Sequence, residues 1–207
     1  MSNKSLFEAI SKTIESLDVA LISKERQVIL NPLTGYLKDK IKANNPIRLN
    51  FICTHNSRRS HLSQVWAQTM AAYYNVNNVS CYSGGTEATA MFPKVGETLI
   101  NQGFQILKLS DGNNPIYNIK FSENEPGVIA FSKEFGSDFN PSSDFAAIMT
   151  CSSADEACPM VSGCDKRIAI TYGDPKKSDG TPQQTEAYFE RSLQIATEMK
   201  FVFSSLK

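Results

Sequence analysis

Hydrophobic and polar positions follow two different rhythms along this chain, and the change falls near residue 46. From Ser5 to Leu17, Leu6, Ala9, Ile10, Thr13, Ile14 and Leu17 recur every three or four residues, the stripe of an amphipathic helix. Ser23 to Ala43 predicts a second helical region, interrupted near Asn31-Pro32, because proline cannot donate the helical hydrogen bond. Asn44-Asn45-Pro46 breaks the pattern. Residues 1–46 therefore read as a helical N-terminal extension: a packing element, a partner surface or an arm for a homodimer.

From Ile47 onward strands alternate with helices. Ile47 to Ile52 is a strand, and Arg59 to Tyr74 a helix with Leu62, Val65, Trp66, Met70 and Tyr73 on one face. Val79 to Tyr82 is a short strand, and Lys94 to Gln102 a helix that Gly103 ends. Phe145 to Thr150 and Arg167 to Tyr172 are apolar strands, and Thr185 to Leu206 is a long final helix. This order argues for an α/β fold, a mostly parallel four-stranded sheet with helices on both faces. The exception is Pro115 to Phe135, where Ile116–Phe121 and Val128–Ser132 flank Asn124-Glu125-Pro126-Gly127. That segment predicts a β-hairpin, added to the sheet edge or standing over the site, inside an insertion at about 108–142 of a domain spanning 47–207.

Composition narrows the function. Lys+Arg and Asp+Glu are both 21, so no net charge favours nucleic acid or a membrane surface, and any anion recognition must be local. No apolar run approaches the roughly 18 residues of a spanning helix. Met1 to Ser16 lacks the apolar core of a signal peptide, so the expected compartment is the cytoplasm, where thiols stay reduced. Five cysteines in that setting are buried, catalytic or metal-binding before they are structural disulfides.

The chemistry centres on Cys53-Thr54-His55-Asn56-Ser57-Arg58-Arg59-Ser60, a Cys-x5-Arg-Ser pattern between a strand and a helix. Such a turn points the backbone N–H groups of Thr54, His55, Asn56, Ser57, Arg58 and Arg59 into one concavity, a nest for an anion. The helix adds its positive end and Arg59 a planar fork for two oxygens. The same field favours the Cys53 thiolate, to which Ser60 can donate. Asn56 is a residue type that tolerates the left-handed conformation of a tight loop. The bland alternative, a buried cysteine with a coincidental arginine downstream, leaves the flanking strand and helix unexplained. Gly173-Asp174-Pro175 follows a strand toward the same sheet edge, where Asp174 can protonate a leaving oxygen, although Asp-Pro turns are common for structural reasons. Cys151 and Cys158 bracket Ser152–Ala157, which reads as a helix start with a serine cap and early acids. Seven helical residues span roughly 10 Å, whereas a disulfide needs Cα atoms within about 7 Å, so joining the two requires that helix to unwind. Buried inert thiols, or a zinc site adding Cys164, are the competing readings; the only histidines, His55 and His61, sit at the anion loop, and no metal is assigned. Cys81 and Cys164 read as bystanders, Cys81 packed on its strand and Cys164 in a loop.

The run Phe51 to Ser60 resembles the active-site loop of low-molecular-weight tyrosine phosphatases, and more closely that of the thioredoxin-coupled arsenate reductases on the same fold. The resemblance continues through Tyr82-Ser83-Gly84-Gly85-Thr86-Glu87, Pro93-Lys94, Thr150 to Pro159 and Gly173-Asp174-Pro175. It implies a three-layer sandwich and a cysteine relay: Cys53 attacks arsenate, Cys151 resolves the adduct and releases arsenite, and Cys158 then attacks Cys151. The resulting disulfide passes to thioredoxin as external reductant, with no tightly bound cofactor. Three departures stand out. His55 replaces the usual glycine, Arg58 stands where a second loop cysteine is common, and Gln64 replaces the glutamate of a structural potassium site that Asn56 and Ser83 otherwise fit. Potassium is therefore not assigned. Two further functions remain open: a tyrosine phosphatase using Cys53, Arg59 and Asp174, and a non-catalytic oxyanion-sensing module. Lys176-Lys177 after Asp174-Pro175, where phosphatases carry aromatics, weigh against the first. The complete nucleophile–arginine–acid set weighs against the second.

Overall fold

The computed structural model describes residues 6–158 and 160–206. Ser5, the expected start of the first helix, and Pro159, the last residue of the Thr150 motif, lie outside the described residues.

Two helices open the chain, α1 at Glu8–Ser16 and α2 at Lys24–Lys42. The expected interruption at Pro32 is absent: α2 runs straight through it. The carbonyl that loses its partner belongs to Val28, and both Val28 and Pro32 are exposed, so water can take the missing donor's place. Four strands then build one sheet: β1 (Ile47–Cys53), β2 (Val79–Gly85), β6 (Phe145–Met149) and β7 (Cys164–Ala169), in the order β2-β1-β6-β7. Every pairing in it is parallel. The last strand begins earlier than the pattern predicts and takes Cys164 out of the expected loop, pairing it with Phe145. Residues 170–172 continue beside β6 through single bonds, Ile170 N–H to the Met149 carbonyl and Tyr172 N–H to that of Thr150.

Alternation along the strands divides the core. Leu49 and Phe51 of β1 and Ala146 and Ile148 of β6 face a large cluster with α2, α3 (Arg59–Tyr73) and α6 (Gln184–Ser204). Ile52, Ala147 and Met149 point the other way, to Ala154 of α5 (Ser152–Ala157) and Val161. These are the three layers. Ile10 and Ile14 of α1 and Leu30, Leu33 and Leu37 of α2 are fully buried in the large cluster, so the extension shares the core of the sheet.

The hairpin is not added to the edge of the parallel sheet. Its strands, β4 (Tyr117–Lys120) and β5 (Val128–Ala130), join β3 (Gln105–Lys108) in a separate antiparallel sheet of order β3-β4-β5 beside α4 (Pro93–Asn101). Gln64 on α3 ties the two sheets by donating from Nε2 to the Cys81 carbonyl at 3.0 Å and the Ile129 carbonyl at 3.2 Å.

Candidate active site

The segment between β1 and α3 folds back on the C-terminal ends of the parallel strands, where a parallel sheet concentrates its binding groups. Asn56 sits at φ 44°, the left-handed turn of the loop. Its amide is oriented without ambiguity, because Oδ1 accepts from the Lys133 backbone N–H at 2.9 Å. Nδ2 therefore donates to Ser60 Oγ at 2.9 Å, and the serine hydrogen is left to point at Cys53 Sγ, 3.1 Å away. Asn56, Ser60 and Cys53 form a buried chain of donors ending on the sulfur.

The loop is held tightly from below. Thr86 and Glu87 donate their N–H groups to the carbonyls of Cys53 and Thr54. A Cβ at Gly85 would stand 2.6 Å from the Thr54 carbonyl and 2.7 Å from the Asn56 nitrogen, and one at Gly84 would stand 2.4 Å from the Phe135 Cα. The Gly84-Gly85 pair is thus a requirement of close approach. Phe131 to Phe135, leaving the hairpin, supply the other wall. Ser132 Oγ donates to the His55 carbonyl at 2.9 Å, the Gly85 N–H donates to the Lys133 carbonyl, and the Phe135 N–H donates to the Gly85 carbonyl.

Arg59, the first residue of α3, donates from Nη1 to the Tyr172 carbonyl at 3.0 Å and from Nη2 to Asp174 at 2.6 Å. Its Nε is buried and has no hydrogen-bond partner among the described residues, a donor left available to an oxyanion. Asp174 also accepts from the Lys176 N–H, which fixes the turn after it. The side chain of Arg58, next to Arg59 in sequence, takes a separate course. Its side chain leaves the loop, stacks 4.0 Å over Phe92, and bonds Tyr188 at 2.5 Å and Asp179 at 2.7 Å. Only its backbone remains with the nest. His55 turns outward to Glu87 at 3.0 Å, while Ser57 is buried with its carbonyl accepting from Phe92.

Cys151 follows β6, one residue past the rung at which Thr150 bonds the Ile52 carbonyl. It is buried in the same small cluster as Cys53, and its sulfur lies 3.5 Å from Thr54 Oγ1. The expected serine cap of α5 is Cys151 itself, whose sulfur accepts from the Ala154 N–H at 3.3 Å. Cys158 caps the other end of that helix, partly buried against the same cluster. Cys81 is fully enclosed on β2, where burial pushes its thiol well above the usual range.

Sequence reasoning missed Lys133. It is 4% exposed, donates to the Phe131 carbonyl and lies over the rings of Phe131 and Phe139. Burial lowers its pKa to about 8. His61, fully buried, is lowered to about 3 by burial and then by the Lys133 charge. No sequence signal marks this lysine, because its place depends on the fold of the insertion. Near it, Asn56 Oδ1 accepts from the Lys133 N–H, Ser83 Oγ lies 3.3 Å from His61 Nδ1, and Gln64 Nε2 donates to two carbonyls while its Oε1 is buried with no hydrogen-bond partner among the described residues. Among the described residues no cluster of three or more His, Cys, Asp or Glu could hold a metal.

No family model matches the chain. The arsenate reductase of Bacillus licheniformis is 28% identical over 142 residues, covering 68% of this chain and 83% of its own. The chain resembles the bacterial arsenate reductases. Among solved structures, a mutant of YwlE from Bacillus subtilis superposes with a TM-score of 0.54 at 15% identity, covering 77% of this chain and 98% of that one. A low-molecular-weight phosphotyrosine phosphatase from Vibrio cholerae O395 gives 0.51 at 11% identity, with coverages of 77% and 95%. These structures show the fold of the arsenate reductase-like chain, that of the low-molecular-weight phosphatases, with helices on both faces of the parallel sheet. No described helix is long and apolar enough to cross a membrane.

Proposed function

We propose that this chain reduces arsenate to arsenite through three thiols and is regenerated by a thioredoxin-like dithiol protein. The observation that carries the reading is Cys151, buried with Cys53 at the loop and joined to Cys158 through one short helix. In this reading the loop and Arg59 hold the arsenate and the Cys53 thiolate attacks arsenic. Asp174 gives a proton to the departing oxygen, which leaves as water. The Cys151 thiolate then attacks the Cys53 sulfur. A sulfur–sulfur bond forms, the sulfur–arsenic bond breaks, and its electron pair stays on arsenic, which leaves as arsenite. Cys158 attacks Cys151 and expels the Cys53 thiolate, and the external dithiol reduces the Cys151–Cys158 disulfide. Cys53 and Cys151 give up the two electrons that arsenic gains. The cytoplasm, where such reductants are maintained, is the compartment this chemistry requires.

A second reading, phosphatase activity, is favoured by one observation: the Cys53–Ser60 contact and the Arg59–Asp174 ion pair make no use of Cys151 or Cys158. The deciding experiment is arsenate-dependent NADPH oxidation coupled through thioredoxin and its reductase, run beside hydrolysis of para-nitrophenyl phosphate. Peptide mass spectrometry after arsenate treatment without reductant should find a Cys151–Cys158 disulfide in the wild type and Cys53–Cys151 in Cys158→Ser. Brisk ester hydrolysis with no arsenate-induced disulfide would replace the reductase with the phosphatase.

A further inference from the structure

The N-terminal extension reaches the anion site through an unbroken set of contacts. Arg26 on α2 grips Glu198 on α6 with both prongs of its fork, Nε to Oε1 at 2.9 Å and Nη2 to Oε2 at 2.8 Å. Glu198 is 3% exposed and takes a third bond from Gln194 at 3.0 Å. The Arg26 guanidinium lies 5.0 Å from the centroid of the Tyr172 ring, itself buried. Backbone bonds pin Tyr172 on its other side: its N–H donates to Thr150, and its carbonyl accepts from Arg59 Nη1 at 3.0 Å. One residue on, a Cβ at Gly173 would stand 2.9 Å from Nη2 of Arg191, so α6 also packs against the start of the Asp174 turn.

A buried ion pair contributes little net stability, because desolvation offsets the attraction. What a two-pronged pair supplies is a fixed orientation. Here the fixed object is a cation stacked on the aromatic ring of the residue whose carbonyl orients Arg59. We propose that Arg26 is a positioning residue for the oxyanion site, acting through Glu198 and Tyr172 to hold the Arg59 guanidinium in its binding orientation. The N-terminal extension is then part of the catalytic apparatus, an inference that rests on Arg59 receiving the oxyanion.

The test uses the full chain, with inorganic phosphate as probe in isothermal titration calorimetry and arsenate as substrate in the coupled assay. The variant is Arg26→Met with Glu198→Met, which removes both charges, leaves neither unpaired and keeps similar volume. The control is Leu33→Ala, which opens a cavity in the same helix α2 away from the ion pair. The double variant should bind phosphate about five- to thirtyfold more weakly, with KM for arsenate rising in parallel, because one charged hydrogen-bonding group is misaligned. Arg26→Lys, which keeps the charge but not the fork, should fall between it and the wild type, and carries the test if the double variant does not fold. Leu33→Ala should lower the melting temperature and leave phosphate affinity unchanged. Phosphate affinity of the double variant within about twofold of wild type, or an equal loss in Leu33→Ala, overturns the proposal while Arg59 keeps its role. Absence of phosphate binding in the wild type, with Arg59→Lys indistinguishable from it, removes the underlying reading as well.

Discussion

Replacing Ser60 by alanine isolates the thiolate's support from the rest of the site. The Ser60 side chain is fully buried, accepts from Asn56 Nδ2 at 2.9 Å and stands 3.1 Å from Cys53 Sγ. A hydrogen bond to an ionised group contributes about 1.5–3 kcal/mol. At about 1.4 kcal/mol per factor of ten, its loss should slow Cys53 reactions by at most roughly 10- to 150-fold, since a thiolate freed of that bond is also the stronger nucleophile. The same change leaves Asn56 Nδ2 without its acceptor, at a further cost of about 1–3 kcal/mol of folding stability. The assay is the rate of alkylation by iodoacetamide at pH 7, followed by mass spectrometry on the separate Cys53 and Cys158 peptides. The Cys53 rate should fall severalfold or more, the Cys158 rate should hold, and activity on either an aryl phosphate or arsenate should fall with the first. An unchanged Cys53 rate in a folded Ser60→Ala protein would refute the donor chain.

The neighbouring arginines should separate cleanly. Arg59→Lys should reduce kcat/KM by about a hundredfold or more, since a point charge cannot replace the fork, as steady-state kinetics would show. Arg58→Leu should instead lower thermal stability, by losing its stack on Phe92 and its bonds to Asp179 and Tyr188, and leave calorimetric phosphate affinity nearly intact. Gly85→Ala should disrupt the loop, because its Cβ would meet the Thr54 carbonyl at 2.6 Å; loss of phosphate binding in a soluble protein is the readout. Denaturant unfolding should show stability rising with pH in two windows. His61, at about 3 when folded and about 6.5 when unfolded, binds its proton preferentially in the unfolded chain between those values. Lys133, at about 8 when folded against about 10.5 unfolded, does the same at alkaline pH, and Lys133→Met should abolish that second rise and narrow the first, because the Lys133 charge helps to lower His61.

The parallel sheet was legible because its central strands β1 and β6 are largely apolar runs in an alternation of strands with helical stripes, and because the loop carries its chemistry in consecutive residues. Features that depend on distant partners were not. Pro32 predicts a break only if the freed Val28 carbonyl cannot reach water, and exposure is a tertiary property. β3 is four residues long and acquires strand character only by pairing with β4. The hairpin's two strands can be read from alternation, but their attachment to β3 and the placing of Lys133 beneath the loop require the folded insertion. Arg58 and Arg59 show the limit most clearly. Both are arginines at the start of one helix, and the turn directs one toward the acid loop and the other to Phe92 and Tyr188.

The proposed relay imposes a mechanical condition that the structure makes testable. Cys151 and Cys158 cap opposite ends of α5, about 10 Å apart along a helix axis, so their disulfide forms only if that helix opens. Opening has a specific opponent in Arg167 on β7. It donates from Nε to the Cys158 carbonyl at 2.9 Å and from Nη2 to the Asp155 carbonyl and carboxylate, both at 2.5 Å. Those bonds fasten the C-terminal half of α5 to the edge strand of the sheet. They are partly exposed, which reduces their combined contribution to about 1–3 kcal/mol. If unwinding limits the second thiol exchange, Arg167→Leu should accelerate it by roughly 5- to 150-fold. The first exchange needs no such unwinding, since Cys151 already shares a buried cluster with Cys53. Rapid-quench alkylation after one arsenate pulse, with peptides resolved by mass spectrometry, measures both steps. In the wild type a Cys53–Cys151 intermediate should accumulate before the Cys151–Cys158 product. In Arg167→Leu it should shorten or vanish, with its rate of formation unchanged. A slower second step in that variant would mean that Arg167 guides Cys158 toward Cys151, and the latch would have to be abandoned.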